Sequence, residues 1–159
     1  MAGAAQAITR PTAVADTTAI REGLTKRLYT VPELMHLTGL TRKQVTYWAR
    51  IGLVAPLLRD PDAVPGQPAS FYAATDVIRA LIVCELRRRG FTPRQVQQVA
   101  RNLQEHDIRL DRSEVYLLTD GYSVYYAFSD GEVVDVLKHQ RQMLLIPIHE
   151  QVAKLQEVA

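Results

Sequence analysis

Seven side chains between residues 41 and 50 carry chemistry suited to reading a polyanion: Thr41, Arg42, Lys43, Gln44, Thr46, Tyr47 and Arg50. Arg and Lys can donate to guanine O6 and N7 in a major groove, and Gln can pair with adenine. The Tyr47 hydroxyl can donate to a phosphate oxygen, and Arg50 adds charge. Val45 and Trp48 fall between them at helical spacing, so they turn inward and leave the polar set facing out. A solvated basic helix face would have the same composition. The organisation around the segment decides between the two.

Other reactive side chains form no site. Cys84 is the single cysteine, too few for an internal disulfide or a thiolate-rich metal centre. It sits in the apolar run Ala80-Leu81-Ile82-Val83-Cys84 and reads as a small core residue. His36, His106, His139 and His149 lack metal-site spacing. No paired carboxylates, nucleophile and base, or phosphate-binding Gly loop appear, so no enzyme is expected and no cofactor or metal is implied. Asp120-Gly121 and Asp130-Gly131 read as turns. Tyr122, Tyr125, Tyr126 and Phe128 read as sheet core or a dimer contact rather than a ligand pocket.

The elements that must position residues 41–50 are announced by capping signals. Thr30-Val31-Pro32-Glu33 is a capping box opening a helix that Gly39 ends. Thr41-Arg42-Lys43-Gln44 is a second box, and Gly52 closes its helix. The connection Thr38-Gly39-Leu40 permits only a sharp corner, which gives a helix-turn-helix layout. From Ala55 to Tyr72, five helix-excluding residues (Pro56, Pro61, Pro65, Gly66 and Pro68) leave room for a hairpin wing built from Leu53–Leu58 and Ser70–Tyr72. Thr75–Arg89 reads as a helix, and Thr92-Pro93-Arg94-Gln95 caps another that runs to about His106. Strands are expected over Val115–Leu118, Val124–Phe128 and Met143–Ile146. Val133–Leu137 is ambiguous between strand and helix, and a closing helix follows from Ile148 to Glu157. The fold class is therefore mainly α with small β: a winged helix-turn-helix over residues 27–107, then a compact α+β unit over 108–159. Residues 1–26 read as a disordered tail.

The motifs Leu28-Tyr29-Thr30-Val31-Pro32-Glu33-Leu34, Thr38–Trp48 and Ile51-Gly52-Leu53-Val54-Ala55-Pro56 resemble the DNA-binding domain of the MerR family. The resemblance continues through Phe71-Tyr72, Asp76-Val77 and Leu86–Thr92, covering about residues 28 to 104. It implies recognition-helix contacts by Arg42, Lys43, Gln44 and Tyr47. The family's wing Arg, which stands two residues before the Tyr in many members, is Ser70 here, and Arg59 is the expected substitute. No cysteines follow a long dimerisation helix, unlike the metal-sensing and oxidant-sensing members. Leu117–Gly121, Val124-Tyr125 and Glu132–Leu137 resemble the C-terminal domain of small actinobacterial MerR-type regulators, some linked to control of cell division.

Charge distribution agrees with this division. Residues 26–104 hold twelve Lys/Arg against five Asp/Glu, a net of +7, whereas residues 113–159 hold three against seven, a net of −4. A basic body faces a polyanion, and an acidic end stays away from it. No run approaches the roughly 18 apolar residues of a membrane span, and no secretory leader pattern is seen, so a cytoplasmic protein is expected. The expected function is a sequence-specific double-stranded DNA-binding transcription regulator, acting as a homodimer on a palindromic promoter site. RNA polymerase is a candidate further partner, and the sequence names no small-molecule effector. Val115, Leu117, Val124, Tyr126, Phe128 and Leu145 are the expected dimer contacts. A fragment ending at Leu110 is expected to stay folded as a monomer. Two rival functions fit the same helices: an excisionase-like architectural factor, and an antitoxin-like module whose C-terminal unit holds a protein partner.

Overall fold

The computed structural model describes residues 27–105, 115–139 and 143–156. The expected tail over 1–26 lies outside them, as do residues 106–114. The chain begins with β1 (Leu28–Thr30), α1 (Val31–Thr38) and α2 (Arg42–Arg50). The wing strands β2 (Leu58–Arg59) and β3 (Ser70–Ala73) follow, then α3 (Ala74–Arg88) and α4 (Pro93–Glu105). The C-terminal unit is β4 (Tyr116–Thr119), β5 (Val124–Ala127), α5 (Asp130–His139), β6 (Leu144–Pro147) and α6 (Ile148–Gln156). The strands form two antiparallel sheets, in the orders β1-β3-β2 and β5-β4-β6.

Three local expectations are corrected. The first wing strand shrinks to Leu58–Arg59, because Leu53 and Val54 are buried and their N–H groups close the end of α2 on the Trp48 carbonyl at 2.9 and 3.4 Å. Asp130-Gly131 is the start of α5 and not a turn. Ser129 Oγ accepts from the Glu132 N–H at 3.2 Å, and the Glu132 carboxylate accepts from the Phe128 N–H at 2.7 Å. Ser129 thus caps the helix in the S-x-x-E spacing, with Glu132 reaching back to the N–H one residue before the cap rather than to that of the cap itself, and Val133–Leu137 is helix. The third is β1, which the sequence did not announce: three residues held by pairing with β3, Leu28 opposite Ala73 and Thr30 opposite Phe71.

The second sheet is covered on both faces. Leu117, Val124, Tyr126 and Ile146 join the main core with Val96, Val99, Leu103 and the inner face of α3. Leu118, Tyr125 and Ala127 point the other way and pack on Val133 and Val136 of α5. This alternation follows from the two-residue repeat of a strand. The main core therefore runs without a break from Tyr29 to Leu155. Tyr126 Oη lies 3.5 Å from Asn102 Oδ1 on α4, and burial pushes its phenol far above the ordinary tyrosine range. Gly121, with φ of 93°, lies so close to Gln95 that an added Cβ would sit 2.9 Å from its carboxamide. Such sharing contradicts the expectation that a fragment ending at Leu110 keeps its fold, since it would uncover the α3 and α4 surfaces that the sheet seals.

Candidate nucleic-acid interface

Helix α2 is fixed at both ends and from beneath. At its start, Thr41 Oγ1 accepts from the Gln44 N–H at 3.2 Å, and Gln44 Oε1 accepts from the Thr41 N–H at 2.9 Å. At its end, Gln104 Nε2 of α4 donates to the Gly52 carbonyl at 3.1 Å. Val45 and Trp48, each 4% exposed, anchor the inner face. The turn before α2 needs Gly39, whose φ of 77° would cost a side chain about 1–2 kcal/mol.

The outer face carries Thr41, Arg42, Lys43, Thr46, Tyr47 and Arg50, all exposed. With Gln44 they line one shallow concavity. The Arg50 guanidinium lies over the Tyr47 ring at 5.3 Å from its centroid. Thr46 Oγ1 donates back to the Arg42 carbonyl at 3.0 Å, which leaves its methyl and lone pairs for the outside. Gln44 is half-buried, and its carbonyl oxygen is engaged by the cap, so only its amide N–H groups are uncommitted there. No acid stands in the first turn. A helix N-terminus carries positive partial charge, so Arg42 and Lys43 oppose the dipole by about 0.3–1 kcal/mol each in isolation. An anion laid against this turn would remove that conflict, and broken local rules of this kind cluster at functional sites.

The wing places Arg59 directly opposite Ser70 across the β2–β3 pair. Both are on one face of a two-stranded ribbon, so the guanidinium springs from beside the position where the family's wing Arg would stand. The wing closes through Leu57 N–H to Phe71 O at 2.8 Å and Asp60 N–H to Ala69 O at 2.7 Å.

A second basic element was not singled out from sequence. Arg87 stands in the last turn of α3 with its guanidinium 5.7 Å from the Trp48 ring centroid. Arg88 and Arg89 follow, each paired with Glu85 yet largely exposed. A cleft between α2 and the start of α4 is lined by Tyr47, Trp48, Arg87, Phe91, Pro93 and Gln97, among others. The signal was the run Arg87-Arg88-Arg89 before Gly90, which reads as ordinary helix-end charge until α2 is seen beside it.

The expected dimer contacts divide. Val115, Leu117, Val124 and Tyr126 are at most 9% exposed and are covered by the chain's own core. They cannot reach a partner while that core stays closed. Phe128 is half-buried against the same core, and Leu145 is 41% exposed. Tyr122, at the β4–β5 corner, stands apart from Tyr125 and Tyr126 and is 76% exposed. Cys84 lies half-buried, and burial pushes its thiol up to about 11. Among the described residues, no three His, Cys, Asp or Glu side chains gather as metal ligands. No helix among them is long and apolar enough to cross a membrane.

Two helices at a tight corner, a second helix with a basic outer face and a β-hairpin beside it define a winged helix-turn-helix, a fold class that binds DNA. Residues 29–103 match the MerR HTH family of regulatory proteins. Over those residues the chain carries a MerR-type HTH domain. It is also similar to uncharacterized HTH-type transcriptional regulators of Mycobacterium bovis and of two Mycobacterium tuberculosis strains. Each is 30% identical over 110 residues, which is 69% of this chain and 48% of the relative. The chain thus spans about half the length of the curated relatives it matches.

Proposed function

We propose that this chain is a sequence-specific transcription regulator that binds double-stranded DNA as a homodimer on a palindromic promoter site. The observation that carries the reading is the outer face of α2. It presents Arg42, Lys43, Thr46, Tyr47 and Arg50 together, without an acid in the first turn, on a helix locked by Val45 and Trp48. Arg42 and Lys43, at the helix start, read base edges. Tyr47, Arg50 and the wing's Arg59 hold phosphates and set the register. Arg87 and Arg88 extend the phosphate contact from the α3–α4 corner. One winged helix covers a half-site, so two-fold symmetry of the protein implies two inverted half-sites in the DNA.

The test is recovery of bound fragments from sheared genomic DNA, followed by footprinting. Protection of an inverted repeat within a promoter, with half-sites spaced by about a helical turn or a multiple of it, supports the reading. A strongly bent site away from promoters would move the protein to the architectural class. No sequence enrichment would remove the proposal.

A further inference from the structure

Helix α2 lies between two flanks. At about 100° per residue, Arg42 and Tyr47 stand about 140° apart around its axis, with Lys43 and Arg50 between them. Arg42 lines a notch with Val31, Pro32 and the wing residues Gly66 to Ser70. Tyr47 lines the cleft shared with Pro93 and Gln97 of α4. The wing therefore borders α2 on one side and the start of α4 borders it on the other, while Lys43 and Arg50 face straight out. DNA laid on α2 meets both flanks, so the surface beyond α4 sets how far the contact extends.

That surface is reached by going round α4. Pro93 and Gln97 face α2, Gln95 faces the C-terminal unit, and Arg94 falls between them. Gln95 is covered by the β4–β5 corner. Its carboxamide accepts from the Thr92 N–H at 2.9 Å, and a Cβ added to Gly121 would lie 2.9 Å from it. The next residue is Tyr122, at 76% the most exposed large hydrophobic side chain among the described residues. The corner that carries it is tightly bonded. Asp120 Oδ1 accepts from the N–H groups of Tyr122 and Ser123 at 2.8 and 2.7 Å. Thr119 Oγ1 accepts from the Gly121 N–H at 3.0 Å and donates to the Ser123 carbonyl at 2.7 Å. A fixed loop thus holds out an aromatic ring with a polar tip, and the fold does not use that ring.

The charge around Tyr122 suits an anion. Arg94 is exposed and pairs with no carboxylate among the described residues. Helix α4 adds Arg101 and has no acid before Glu105. The Asp120 carboxylate is turned onto its own loop. The acids of α5 begin at Asp130, which is bonded to Tyr116 at the far end of β4 from this corner.

We infer that Tyr122 and Arg94 together hold a DNA phosphate outside the segment that α2 reads, on the flank opposite the wing. This inference rests on the DNA-binding reading above and extends it onto the C-terminal unit. The Tyr122 hydroxyl donates to a phosphate oxygen and the Arg94 guanidinium pairs with its charge. Such a contact carries no base information. It fixes register, and it makes the C-terminal unit part of the DNA-binding surface.

The test uses the full chain on a duplex recovered from the genomic selection and on a random duplex. Tyr122→Ala should weaken binding to both by about tenfold, and Arg94→Ala should lower the magnitude of the salt slope by about 1. Both side chains are exposed, so both variants should melt as the wild type does. In a Cys84→Ala background, an iron-EDTA cleavage reagent attached to Tyr122→Cys should cut the DNA backbone on one flank of a half-site. The same reagent on Val64→Cys, exposed in the wing, should cut on the other flank. Wild-type affinity in Tyr122→Ala, or cutting from Tyr122→Cys that is absent or falls on the wing's flank, overturns this contact and leaves binding through α2 standing; Tyr122 is then a surface for a protein partner. A wild-type chain that binds neither duplex overturns the DNA-binding reading and this contact together.

Discussion

Removing everything after residue 110 should unfold the DNA-binding domain. Seven buried side chains of the C-terminal unit belong to the main core: Val115, Leu117, Val124, Tyr126, Ile146, Ile148 and Leu155. At about 1.5–3 kcal/mol for each buried side chain, they represent roughly 10–20 kcal/mol of apolar burial. Sheet residues bury part of that against one another. Assigning half of it to contacts with α3 and α4 gives roughly 5–10 kcal/mol. Whole domains are stable by about 5–15 kcal/mol, so losing this share leaves little or nothing. The Tyr126–Asn102 and Gly121–Gln95 contacts go as well. The assay is thermal unfolding by circular dichroism, with the fluorescence of the single tryptophan, Trp48, as a second probe. Expected for the fragment is a broad, non-cooperative melt and an emission shifted toward that of solvent-exposed indole. A cooperative transition within about 5 °C of the full chain would refute the claim that the core is shared.

Tyr47→Phe should weaken binding to all DNA sequences alike, by about 1 kcal/mol, since it removes a phosphate donor and no base contact; competition titrations on specific and random duplexes check this. Arg59→Ala should lower the magnitude of the salt slope by about 1, and adding Ser70→Arg should restore it, because the two positions face each other across the wing. Cys84 should alkylate about a hundredfold more slowly than an ordinary thiol at pH 8, because burial raises its pKa from about 9 to about 11. Timed iodoacetamide labelling of native and unfolded protein reads this directly.

The site was more legible in the sequence than the packing around it. Both capping boxes of the helix-turn-helix appear in the structure with reciprocal bonds, because Thr and Gln or Glu three residues apart satisfy orphan donors locally. The inward turn of Val45 and Trp48 follows from helical period in the same way. Gln44 shows the limit of reading by type: its capping geometry engages the oxygen that base pairing would also need. The cap at Ser129 was hidden by Asp130-Gly131, a strong turn signal that fits the first helical turn equally well. Expecting Val115, Leu117, Val124 and Tyr126 at a dimer contact failed for a different reason. Alternating apolar residues state that both faces of a strand are covered, and nothing local states by what. Here the cover is α3 and α4 on one side and α5 on the other. Arg59 was anticipated at the wing, but its place beside Ser70 depends on strand register, which turn residues scattered over Asp60–Ala69 do not fix.

The central claim is that the outer face of α2 binds DNA. Its most direct test is the salt dependence of DNA affinity for the wild-type chain and for a variant with Arg42→Ala, Lys43→Ala and Arg50→Ala combined. These side chains are exposed, so the variant should melt as the wild type does. The wild type should lose affinity steeply as salt rises, and the variant should bind weakly with a slope flatter by about 0.9 for each phosphate contact removed. Equal affinity and equal slope in the two folded proteins would contradict the assignment.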